Sequence, residues 1–186
     1  KIGNKTILER QLEVFNSFDI KDINIIVGYK RNKFKNKKFR YFYNKNFNNN
    51  NILESLFCAK KAIKGNCLIS YSDIIFKKNI VKKLIKSKAS ISILVDTDWK
   101  KIYRGRTQHP ISQAENVYFD KNLILKNVGK NLKEKESNGE FIGMLKLNSE
   151  GVKIFKHYYK KAKSNFKKNN FYNAKTIKKA YLTDFF

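Results

Sequence analysis

Seven residues, Cys67-Leu68-Ile69-Ser70-Tyr71-Ser72-Asp73, constrain this chain more than any other segment. They read as a short apolar strand that ends on one carboxylate. A continuous apolar run of this length suits a strand buried on both faces, as in α/β sheets. In open α/β sheets, ligands sit at the carboxyl ends of strands. A lone carboxylate there can share a magnesium ion with nucleotide phosphates, because magnesium keeps waters and takes only one or two carboxylates. The competing reading is a turn or helix cap, since Ser-Asp is common at both.

The flanking pattern supports the α/β reading. Ile7, Leu8, Leu12 and Phe15 recur at helical spacing within residues 5–18. Residues 23–27 read as a strand closed by Gly28, and residues 39–43 as a second. The Asn-rich run Asn44 to Asn51 is a loop that ends at a helix N-cap, with a helix over 52–63. A basic helix over 79–88 and a strand over 90–96 follow. Residues 100–113 leave the sheet, residues 117–125 form a hairpin turning at Asp120–Asn122, and 141–147 is another strand. A lysine-rich helix spans Glu150 to Lys168, and a last helix starts near Thr176. Alternating helices and strands in the first half predict a mostly parallel arrangement, with a hairpin inserted later. At 186 residues the chain is one domain.

Charge is the strongest compositional signal: 41 Lys and Arg against 15 Asp and Glu, a net charge of +26. The lysines run along the whole chain, so the excess reads as a solvated surface attractive to polyanions and not as a localised nucleic-acid site. A basic nucleic-acid-binding module without catalysis stands as the alternative of a different class. No apolar run is long enough for membrane insertion. Cys58 and Cys67 lack metal or disulfide spacing, and residues 2–5 do not resemble a signal peptide; the expected setting is cytoplasmic.

Several segments together resemble one family. Residues 2–12 (Ile2-Gly3-Asn4-Lys5-Thr6-Ile7-Leu8-Glu9-Arg10-Gln11-Leu12) resemble the segment after the Gly-rich signature of nucleotidyltransferases. Ile25 to Tyr29 is similar to their next strand, Asn51 to Leu56 to their Asn-x-x-x-Ser motif, and Ser72-Asp73 to their magnesium carboxylate. Val95-Asp96-Thr97-Asp98-Trp99, Tyr103-Arg104-Gly105-Arg106 and His109-Pro110 narrow the resemblance to phosphocholine and 2-aminoethylphosphonate cytidylyltransferases. The resemblance spans nearly the whole chain and rests on the order of its motifs.

The resemblance implies a Rossmann-like nucleotidyltransferase fold with a mixed central sheet and a small hairpin insertion. It implies attack by a phosphate or phosphonate oxygen on the α-phosphorus of CTP or another nucleoside triphosphate, with Mg2+. Asp73 would be the catalytic metal carboxylate, and Asn51 and Ser55 would contact nucleotide or acceptor. Asp98 and Trp99 would hold an ammonium group by charge and by the indole face. Arg104 and Arg106 would take the acceptor's phosphate or phosphonate, Glu140 and Gly143 would line its strand, and Tyr181 and Asp184 would complete an ammonium box. A sugar-1-phosphate nucleotidylyltransferase is the alternative enzyme, disfavoured by a cation site at Asp98-Trp99. Within these residues there is no Gly-rich loop with a following Pro-Lys pair and no second metal carboxylate on a C-terminal strand. The chain is therefore expected to lack both terminal pieces and to be inactive by itself.

Overall fold

The computed structural model describes residues 1–166 and 169–186. Thr6 starts helix α1 (Ile7–Asn16) with a capping box: its hydroxyl accepts from Glu9 N–H at 3.1 Å, and its own N–H donates to Glu9 Oε2 at 2.6 Å. Strands β1 (Asn24–Val27) and β2 (Arg40–Tyr43) pair in parallel. Helix α2 (Ile52–Cys58) starts where Asn51 Oδ1 accepts from Ile52 N–H. The helical pattern expected to reach Ile63 ends early, in a run of turns from Ala59 to Ala62.

Strand β3 (Cys67–Ser70), helix α3 (Lys78–Lys86), strand β4 (Ile91–Asp96), hairpin strands β5 (Asn116–Phe119) and β6 (Leu125–Gly129), strand β7 (Gly139–Leu147) and helix α4 (Ser149–Asn165) complete the regular elements. The last two residues of the helix expected over 150–168 lie outside the described residues. The hairpin forms as expected but with a longer loop. Asp120 Oδ1 accepts from Asn122 and Ile124 N–H, both at 2.9 Å, and Leu123 takes φ +60°. The expected C-terminal helix is instead two short 3-10 turns, Ile177–Lys179 and Thr183–Phe185. Asp184 Oδ2 accepts from Tyr181 N–H at 2.8 Å, a local side-chain bond that competes with helical pairing.

Among the described residues the strands form two sheets, a parallel β1–β2 pair and a five-stranded sheet with antiparallel pairings throughout, so the parallel expectation holds for β1 and β2 only. In the larger sheet β7 runs antiparallel to β3, β4 and β5. The excursion after β4 returns the chain in the opposite direction, so β7 enters between β3 and β4 and separates two strands that would otherwise be parallel neighbours. Its faces serve two cores. Phe141, Leu145 and Leu147 join the main core with Leu53, Phe57, Phe155 and the C-terminal segment, while Met144 meets Val81 and Leu84 of α3. The period of two dictates this split.

Among the described residues β1 pairs only with β2, and β3 pairs only with β7. Residues 24–26 of β1 and 67–70 of β3 line one cleft of about 1120 Å³, together with Leu12 and Phe15 of α1 and Leu56 of α2. No helix among the described residues is long and apolar enough to cross a membrane.

Gly151, in the first turn of α4, shows how closely helix and sheet meet. A Cβ there would overlap the backbone carbonyl of Ser90. Helix propensity alone favours alanine over glycine by about 1 kcal/mol. Gly151→Ala is expected to destabilise instead, by about 1–3 kcal/mol, because backbone cannot yield as a side chain does. Urea unfolding decides the sign.

Candidate active site

The edge of β7 facing β3 is shared by two strands. Tyr71 N–H donates to Gly143 O at 2.8 Å, and Phe141 N–H donates to Glu115 O at 2.9 Å. The end of β3 and the start of β5 therefore meet head to tail along this edge, two residues of β7 apart. Gly143 sits at the junction with φ +78°, a conformation that glycine adopts without strain. A Cβ there would overlap the Tyr71 ring. The Tyr71 ring meets Phe141 edge-on at 5.8 Å between centroids.

Past Tyr71 the chain turns and exposes Ser72 and Asp73 at the cleft. Gln11 holds this turn. Its side chain is 5% exposed, and Nε2 donates to Tyr71 O at 2.9 Å and to Ile74 O at 2.7 Å. Both carbonyls flank the Ser72-Asp73 pair, so one amide from α1 fixes the loop that presents the carboxylate.

Behind the turn lie the start of β5 and the C-terminal segment. Burial pushes the Glu115 carboxyl up to about 7, opposed by the nearby Lys130 ammonium and reinforced by Asp184 and Glu140. Burial, with the Glu115 charge next, drives the Tyr71 phenol upward. Asp184 is also raised by burial, and the Tyr181 ring lies under Lys130 Nζ at 4.1 Å. Around the edge of the sheet, Tyr103 OH donates to Glu140 Oε1 at 2.5 Å. Glu140 is raised mainly by burial, and the Arg106 guanidinium lies 5.1 Å from the Tyr103 ring centre.

The sequence-derived candidates separate into groups. Asp73 and Ser55 both line the cleft. Ser55 Oγ accepts from Asn44 Nδ2 at 2.6 Å, and Asn51 acts as the cap of α2 while its Nδ2 donates to Lys179 O at 3.1 Å. Glu140 and Arg106 meet at Tyr103; Tyr181 and Asp184 meet each other; Gly143 lies under Tyr71. Arg104 is exposed.

Trp99 and Asp98 do not form an open cation site. Trp99 is 1% exposed, with the Tyr103 ring edge-on at 5.9 Å and Lys100 Nζ at 5.6 Å. Asp98 is exposed and paired with Lys101 at 3.0 Å. A large aromatic gains most by burial, and here that packing takes the indole away from ligands. Glu115 and Thr183 carry no sequence motif. Gln11 lies in the segment 2–12 that resembles nucleotidyltransferases, but that resemblance gave it no role, and its polarity on the inward face of an amphipathic helix was the only further signal.

A lone exposed carboxylate matches what magnesium needs when it arrives on nucleotide phosphates. Among the described residues no group of three or more His, Cys, Asp or Glu side chains is placed to hold a metal ion.

Over 98% of its length the chain is 28% identical to a CTP:phosphoglutamine cytidylyltransferase of Campylobacter jejuni, of which it covers 75%. Its fold is that of the inositol-1-phosphate CTP transferase of T. maritima (TM-score 0.61, 14% identity, 80% of this chain and 60% of that one). It is also that of a CTP:phosphocholine cytidylyltransferase of Streptococcus pneumoniae (TM-score 0.56, 15% identity, 88% and 66%). The chain thus spans somewhat less than two thirds of the length of these solved structures. No family model matches it.

The raised Glu115 carboxyl has a consequence for stability. Its folded value, about 7, exceeds the ordinary 4.5. The folded state therefore binds the extra proton between these values, and the stability linked to it is lost as pH rises through 7. Glu115→Gln removes this dependence. The urea midpoint of the variant relative to wild type is expected to move upward between pH 5 and pH 8, and an unchanged difference would place Glu115 in water.

Proposed function

We propose that this chain is a member of the nucleotidyltransferase superfamily and forms the metal-binding and acceptor-binding part of an enzyme that transfers a cytidylyl group from CTP to a small phosphorylated acceptor. The observation that carries the reading is Asp73, displayed at the carboxyl end of β3 on a turn clamped by Gln11, at the mouth of the cleft. The sequence resemblance implies a magnesium carboxylate at this residue, and its display at a strand end beside the cleft supports that role.

In the reaction an acceptor phosphate oxygen attacks the α-phosphorus of CTP. A new P–O bond forms as the bond from the α-phosphorus to the bridging oxygen breaks, and pyrophosphate leaves. No covalent intermediate on the protein is needed, so the protein contributes positioning and charge compensation. Asp73 would hold Mg2+ when the ion is bound, and the ion would neutralise charge on the phosphates. Ser55 lines the same cleft, which supports its contact with the nucleotide. Arg106 and the exposed Arg104 supply guanidinium groups for the acceptor's phosphate. The resemblance to phosphocholine and aminoethylphosphonate enzymes and the similarity to a phosphoglutamine enzyme both support an acceptor bearing nitrogen as well as phosphorus.

The cleft also supports the domain reading. In a βαβ unit, consecutive parallel strands are commonly neighbours. A strand preceding α1 would fit between the free edges of β1 and β3 and bring a Gly-rich loop to the end where Asp73 lies.

Asp73→Asn tests the metal role. Calorimetric titration of CTP should show Mg2+ tightening binding to the wild type and failing to do so in the variant. The expected loss is roughly tenfold or more in Mg2+, equivalent to about 1.4 kcal/mol. Circular dichroism should be unchanged because Asp73 is exposed. Equal magnesium dependence in both proteins would remove Asp73 from the site.

A further inference from the structure

The Asn-rich run after β2 is organised around one buried side chain. Asn44 is 2% exposed, and its backbone N–H donates to Val27 O at 2.8 Å, one step beyond the last pairing of β1 with β2. Its amide oxygen accepts from Asn46 N–H at 3.0 Å and from Asn50 Nδ2 at 2.9 Å. Its amide nitrogen donates to Asn50 Oδ1 at 2.9 Å and to Ser55 Oγ at 2.6 Å. A backbone N–H can only donate, so the Asn46 bond identifies which end of the Asn44 amide is oxygen. The reversed amide would aim NH2 at that N–H, donor against donor. The end facing Ser55 is therefore NH2, which has no lone pair to offer a hydroxyl. Ser55 Oγ accepts there, and its proton points elsewhere. The intrahelical alternative is the carbonyl four residues back, Asn51 O. It takes Ser55 N–H at 3.0 Å and no bond from the hydroxyl. Ser55 lines the same cleft as Asp73.

We propose that Asn44 is a positioning residue that makes Ser55 a one-way donor toward the cleft, so that the group Ser55 meets on CTP is a hydrogen-bond acceptor. This rests on the cytidylyltransferase reading above and deepens it. A serine free to rotate can donate or accept. Here Asn44 engages the oxygen, and the Asn46 and Asn50 bonds hold the Asn44 amide in place. The polarity of the hydroxyl is set before the nucleotide arrives, so binding carries no cost of reorienting it. CTP offers such acceptors in its phosphate and ribose oxygens and in the carbonyl and ring nitrogen of cytosine. The exocyclic amine of the base, a donor, is not a partner for Ser55.

The test is a double-mutant cycle on this chain, read by calorimetric titration of CTP in Mg2+. Ser55→Ala removes the donor and is expected to weaken CTP binding about three- to tenfold, the range of one neutral hydrogen bond. Asn44→Asp keeps the shape but puts an oxygen where the NH2 was, which draws the Ser55 proton away from the cleft. It is expected to weaken CTP binding at least as much. Adding Ser55→Ala to Asn44→Asp should then cost nothing further. The new charge is present on both sides of that comparison and cancels. A purely structural role for Asn44 would leave the Ser55→Ala loss as large in the Asn44→Asp background as in the wild type. That result, or unchanged binding by Ser55→Ala alone, would overturn the proposal. If circular dichroism shows Asn44→Asp unfolded, amide NMR of the wild type and Ser55→Ala decides. The Asn44 side-chain protons should exchange with solvent faster once Ser55 is lost, and equal exchange would refute the bond. A wild type that binds no CTP overturns the cytidylyltransferase reading itself, an outcome distinct from a wild type and a Ser55→Ala variant that bind it equally.

Discussion

The site depends on one break in strand pairing. Along a single edge β7 pairs first with β5 and then with β3, and the exchange occurs at Gly143. Its positive φ bends the strand, and its lack of a Cβ lets the Tyr71 ring lie on the backbone. That ring adds side-chain packing to the Tyr71 N–H to Gly143 O bond, which is the last pairing of β3 and one end of the turn carrying Asp73. Gln11 secures the same turn from the opposite side through two carbonyls. Backbone geometry from β7 and one amide from α1 thus fix a carboxylate that has few contacts of its own.

Much of this was legible from residue patterns. The Thr6 box, the Asn51 cap, the apolar β3 and the Asp120 turn are local chemistry, and local chemistry survives folding. The antiparallel direction of β7 was not legible. Strand direction depends on how the excursion after Asp96 returns, and an apolar run such as Phe141 to Leu147 looks the same in either direction. The C-terminal segment misled for a related reason. Tyr181 and Asp184 have helical spacing, yet the Asp184 carboxylate takes the Tyr181 N–H and closes a turn.

Site residues divide along the same line. The exposed position of Asp73 could be read because a strand end announces it. Glu115 could not, since nothing in Gln113-Ala114-Glu115-Asn116 distinguishes a solvated loop acid from a buried one. Trp99 shows the converse. As the single Trp beside an acid it looks like a cation platform, but its area favours burial, and its neighbours Tyr103 and Lys100 already cover it. A residue type marks capacity for an interaction, while access to a ligand is decided by packing across distant parts of the chain.

The open edges of β1 and β3 and the surplus of positive charge bear on each other. Unpaired strand edges beside apolar walls are templates for pairing between copies. A net charge of +26 on 186 residues opposes that encounter at long range. The opposition has a reach set by dissolved ions, about 10 Å at 0.1 M and about 3 Å at 1 M. Added salt therefore removes the barrier between copies while leaving the apolar attraction in place. For this chain, colloidal behaviour is governed by ionic strength, and high-salt buffers chosen to strip bound polyanions would be the ones that bring its edges together.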